Sequence, residues 1–98
     1  MNVYEGSFDG IDSIISNFEI SKSDLDGVEI LYAEYDNGNY EGSAWILFKK
    51  EGNLYEVNGD HCSCNGLEGQ WEPTFTTVKA ILMRSNLSNS VREILKTL

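Results

Sequence analysis

The stretch "VEILYAEYDNGNYEGSAWILFKKEGNLYEVN", residues 28–58, decides the fold. "VEILYAEYD" and "YEGSAWILFKK" alternate apolar and polar residues in period two, and "DNGN" at 36–39 between them carries the Asn-Gly signature of a type I′ hairpin. "EGN" at 51–53 turns the chain again into "LYEVN", so the spacing predicts a three-stranded antiparallel meander over roughly 28–58. On its central strand Ala44, Ile46 and Phe48 share one face while Trp45 and Leu47 share the other. Both faces of the sheet are thus apolar and both call for cover, by a helix or by a partner.

Helical patterns flank the meander. In "FDGIDSIISNFEI", Phe8, Ile11, Ile15 and Phe18 recur at three- and four-residue spacing, which predicts a helix over about 9–18 with Asp9 as its N-cap. A polar linker, "SKSDLDG", leads from it to the first strand. Toward the C-terminus "TTVKAILMR" predicts a second helix capped by Thr76. "SVREILKTL" predicts a third, with Ser90 and Glu93 at capping-box spacing and Val91, Ile94, Leu95 and Leu98 along one stripe. The expected architecture is α+β: a three-stranded antiparallel meander with one N-terminal and two C-terminal helices, in a single domain over 1–98.

A chain of 98 residues can bury a core without a disulfide or a metal as a staple, and 41% hydrophobic residues with eleven aromatics is a globular composition. No apolar run approaches the ~20 residues that span a membrane, and "MNVYEGSFDG" lacks a basic start and an apolar core, so a cytoplasmic location is expected. The net charge of -9 is unevenly placed. Residues 1–42 hold ten acids against the single base Lys22, whereas residues 43–98 hold six acids and six bases. Direct nucleic-acid binding needs Lys and Arg against phosphate, so this balance points away from it and toward a basic protein partner. Glu34 and Asp36, two apart on a strand, project from one face about 6.8 Å apart. With Glu29 and Glu41 they could imitate the charge spacing of a nucleic-acid strand, which makes Glu29, Glu34, Asp36 and Glu41 the candidate partner-binding residues. The same acids also serve to keep a small domain solvated.

One loop concentrates chemistry. "NGDHCSCNGLEGQWEP", residues 58–73, holds the only histidine, both cysteines and the only proline. His61, Cys62 and Cys64 are candidate zinc ligands, because two thiolates and an imidazole select zinc over magnesium or calcium. The fourth position would fall to a carboxylate (Asp60, Glu56, Glu68 or Glu72), to water or to a partner. The alternative is a tightly turned loop with buried cysteines, a hydrogen-bonded histidine and glycines at positive φ, pinned to the sheet by Trp71. A Cys-His nucleophile is disfavoured because His61 abuts Cys62, and a zinc-water hydrolase would need an open metal position and a base such as Glu68. No catalytic residue is assigned.

The run "GSAWILFKKEGNLYEVNGDHCSCNGLEGQWEPTFTTVKAIL", residues 42–82, resembles a group of small uncharacterised bacteriophage and prophage proteins. The shared signature is "LYEVNG", "HCSC", "GLEGQW" and the threonine pair before a helix. The resemblance implies a common fold and a phage context, in which small acidic proteins are candidate inhibitors of host defence, including anti-CRISPR proteins that fill an effector nuclease's basic channel. The expected function is therefore a non-enzymatic inhibitor that binds a basic, nucleic-acid-handling host protein. A small zinc-dependent hydrolase and a phage structural or assembly accessory are the alternatives.

Overall fold

The computed structural model describes residues 3–6, 8–37, 41–62, 66–84 and 87–98, leaving aside the side chains of Glu5, Asn37, Glu41, His61 and Cys62. The protein is α+β, built on a mixed sheet of five strands in the order β1-β2-β3-β4-β5. The strands are β1 (Val3–Gly6), β2 (Val28–Asn37), β3 (Glu41–Lys50), β4 (Asn53–Cys62) and β5 (Thr74–Thr76), and the helices are α1 (Ile11–Phe18), α2 (Val78–Leu82) and α3 (Asn89–Lys96).

The expected three-stranded meander is corrected on both sides. β1 runs parallel to β2, pairing Val3 with Tyr32 through Gly6 with Tyr35, and β5 adds antiparallel to β4, pairing Leu54 with Thr76 and Glu56 with Thr74. Both added strands are too short to show periodicity, at four and three residues. β1 is also joined to β2 through α1, so only the crossover makes it a strand. Gly6 ends it at φ 69, where a Cβ would overlap the carbonyl oxygen of Tyr35.

β2, β3 and β4 form the antiparallel centre, and Glu51 and Gly52 turn β3 into β4 with φ values of 53 and 80, the left-handed pair of a type I′ turn. The "DNGN" turn falls on residues outside those described beyond Asn37. β2 carries a bulge: Ile30 faces Phe48 and Tyr32 faces Leu47, so Leu31 is the extra residue. The bulge inverts the alternation. Val28 and Ile30 share a face with Ala33 and Tyr35, while Leu31 and Tyr32 both turn to the other.

Each face has its own core. On one, Phe8, Ile14 and Phe18 pack on Ile30, Ala33, Tyr35, Ala44, Ile46, Phe48 and Val57. On the other, Ile81, Val91, Ile94 and Leu95 pack on Leu31, Tyr32, Leu47 and Leu54. Helix starts shift from the expected residues. α1 is capped at Gly10, not Asp9, with the Ser13 hydroxyl accepting from the Asp9 N–H at 3.1 Å and donating to the Gly10 carbonyl at 2.6 Å. Thr77 caps α2 because Thr76 is taken into β5, and Ser88 caps α3, leaving Glu93 to pair with Lys96 at 3.2 Å instead of closing a box with Ser90. "SKSDLDG" contains a 3₁₀ turn, Lys22–Leu25, whose Leu25 is buried. Among the described residues no helix is long and apolar enough to cross a membrane.

Candidate functional site

The loop after β4 is a clasp on the α1 face. Leu67 is 1% exposed and packs into that core, over Gly59, where a Cβ would approach its Cδ2 to 3.0 Å. Trp71 stacks on Phe48 at 5.9 Å between ring centroids and meets Phe18 edge-on at 5.2 Å. Gln70 supplies the polar half. Its Oε1 accepts from the Asp60 N–H and its Nε2 donates to the Asp60 carbonyl, both at 2.7 Å, and again to the Gly66 carbonyl at 2.8 Å. Asp60 lies on β4 beyond the short β5, so a side-chain amide satisfies backbone groups that a longer strand would have paired.

Against that geometry the zinc expectation divides. β4 continues extended through His61 and Cys62, in register with Gly42 and Glu41, so the backbone does not turn at His61. Their side chains, and all of Cys64, lie outside the described residues. Of the carboxylates weighed as a fourth ligand, Glu56 is engaged on the opposite face and Glu68 accepts from the Gly66 N–H at 3.3 Å.

The sheet also redistributes the acids. Asp9, Asp12, Glu19, Asp24 and Asp26 belong to the segment that covers the α1 face, with Lys22 the one base there. Lys79, Arg84, Arg92 and Lys96, against Glu93, belong to the segment covering the other. Glu29 stands opposite Lys49, a favourable cross-strand pair at the far end of β2 from Glu34 and Asp36. Glu41 begins β3 opposite Cys62. The four expected partner-binding acids therefore do not form one row. Glu34 and Asp36 do share a face, and Asp36, Ser43 and Asp60 align across β2, β3 and β4, all exposed.

Those two acids border a cleft that sequence reasoning did not assemble. α2 and α3 cover only half of their sheet face, and beside them the Glu34, Trp45 and Asn58 row floors a cavity of about 640 Å³ walled by Met83, Arg84 and Leu87. Beneath it lies Glu56, 6% exposed. Its Oε1 accepts from the Trp45 indole N–H at 3.0 Å and from the Asn58 amide at 3.3 Å, and its Oε2 from Arg84 Nη2 at 2.6 Å. Burial pushes the Glu56 pKa up, but the hydrogen bonds from Arg84, Trp45 and Asn58 and the Arg84 charge outweigh it, holding the carboxyl below its ordinary range. The same pair raises the Arg84 pKa. The Arg84 guanidinium also lies 6.0 Å from the Trp45 ring centroid. Tyr32 donates its hydroxyl to Glu34 Oε2 at 3.0 Å.

The one sequence signal for this site is Glu56 itself, a carboxylate at an inward position between Leu54 and Asn58 on the alternation of β4. A buried charge demands a counter-charge, but nothing in the spacing names Arg84, 28 residues on. With this geometry in hand, the chain matches no protein-family model, no curated protein and no solved structure.

Proposed function

We propose that the protein is a non-enzymatic binding protein that docks its acidic sheet end on a basic, nucleic-acid-handling partner. The observation that carries this reading is the exposed set Glu34, Asp36 and Asp60 on the uncovered half of a sheet face, beside the half-buried Trp45. Carboxylates around an aromatic suit a basic surface, the carboxylates steering the approach and the ring contributing desolvated contact area. The resemblance of residues 42–82 to phage proteins makes host-defence nucleases, CRISPR effectors among them, the first partners to test. Zinc at His61, Cys62 and Cys64 is a separate proposal, decided by elemental analysis of reduced, untagged protein and of its Cys62→Ser, Cys64→Ser double variant.

The test is binding to a purified effector at graded salt. Near one-to-one inhibition is expected, weakening steeply as the Debye length falls from about 10 Å at 0.1 M to about 3 Å at 1 M. Glu34→Lys with Asp36→Lys should abolish it with a nearly unchanged melting temperature, since both side chains are exposed. Asp9→Lys with Asp12→Lys, on the α1 side, should leave most of it. Binding indifferent to salt and to Glu34 and Asp36, or lost only with the α1 acids, overturns the reading.

A further inference from the structure

We propose that the cleft between Trp45 and the α2–α3 connection receives a single arginine side chain of the partner, with Glu34 as its counter-charge. The inference rests on the binding reading above and deepens it from a charged face to a socket. Three observations lead to it.

The cleft already holds a guanidinium. Arg84 lies over the Trp45 ring and puts one nitrogen on Glu56, so this wall and this ring suit a planar cation. Arg84 does not use the acid at the rim, however. Its charge is matched by Glu56, whereas Glu34 is exposed, accepts from the Tyr32 hydroxyl, and pairs with no basic side chain among the described residues. The groups around the cavity therefore carry Arg84 against Glu56, with the Glu34 charge in excess, and Asp36 and Asp60 extend the same sign along the sheet. Charge complementarity selects a cation.

Shape narrows the cation further. Met83 is 79% exposed at the cleft wall and Leu87 stands near it, giving apolar surface on which the methylene stem of a long side chain can lie while its head reaches Glu34. About 640 Å³ accommodates such a side chain with the backbone on either side of it. Arginine is favoured over lysine because its head can stack on an aromatic face and donate two parallel hydrogen bonds to one carboxylate.

The experiment uses the whole protein and three peptides of the form acetyl-Gly-Gly-X-Gly-Gly-amide, with X arginine, lysine or citrulline, the last being the uncharged isostere of arginine. The probe is the Trp45 indole N–H resonance, assigned by its loss in Trp45→Phe. The arginine peptide should shift it saturably, the lysine peptide less and the citrulline peptide not at all. Glu34→Gln, which keeps an acceptor for Tyr32, should weaken the arginine peptide about tenfold. Glu68→Gln, on the loop that clasps the other face, should leave it unchanged. Equal shifts with citrulline, indifference to Glu34→Gln, or no shift at all overturns the socket. If the socket fails while the effector still binds in a salt- and Asp36-dependent way, the binding reading survives alone. If effector binding fails too, both are wrong.

Discussion

The two faces of the sheet are built from the same strands and closed in different ways. On the α1 face a helix, Leu67 and Trp71 together finish an aromatic core that runs from Phe8 through Phe18 and Phe48 to Tyr55. On the α2–α3 face two short helices stop partway, and a buried Glu56–Arg84 pair stands where apolar packing ends. The first arrangement is a stability device, because its polar groups are few and its rings stack. The second keeps charged and aromatic groups at the border of solvent, where a partner can reach them. The contrast teaches that the loop richest in suggestive residues serves, in its described part, to complete a core, while the exposed chemistry gathers on the opposite side.

The contrast can be broken most sharply at Phe18. Phe18→Ala removes a 1% exposed ring that touches Phe8 and Trp71, and should cost about 3–5 kcal/mol in denaturant unfolding. A loss under ~1 kcal/mol would mean that the α1 face is not the main core.

On the other face, Glu56→Gln should cost about 1–3 kcal/mol, since it weakens three charge-assisted contacts while leaving the amide a partial acceptor. Its pH signature follows from the direction of the Glu56 shift. A folded pKa below the unfolded value, ~4.3 for glutamate, gives stability that is fully present above about that pH and is lost as pH falls through the lower folded value. Wild type should therefore lose stability faster than Glu56→Gln on acidification below pH ~4.3, so that the two melting curves converge.

Gln70→Ala tests whether the loop is a clasp. Losing the two-point bridge to Asp60 and the bond to Gly66 should cost about 1–2 kcal/mol and speed amide exchange at Asp60, without affecting peptide binding in the cleft. Smallest of all, Met83→Ser should change stability by less than ~0.5 kcal/mol, because the side chain is already 79% exposed. It should nonetheless weaken the arginine peptide, and a large stability loss would recast Met83 as core.

The local part of this protein was legible in its sequence. Period two in 28–58, the turn at Glu51–Gly52, and the three- and four-residue spacing of Phe8, Ile11, Ile15 and Phe18 report interactions between neighbours in the chain, which is why β2, β3, β4 and the helices stand near where the spacing puts them. The double-sided character of β3 was readable for the same reason, since Ala44, Ile46 and Phe48 must face away from Trp45 and Leu47. What only the tertiary structure decided are the partnerships between distant segments. Val3–Gly6 and Thr74–Thr76 become strands because longer strands offer them free edges, not because four or three residues prefer that shape. The bulge at Leu31 shifts half of β2 by one register step, so a single unmarked residue sets which side chains accompany Tyr32 and Glu34. Glu56 meets Arg84 only because the α2–α3 connection returns over β4, and a pairing made across 28 residues leaves no period in the chain to read.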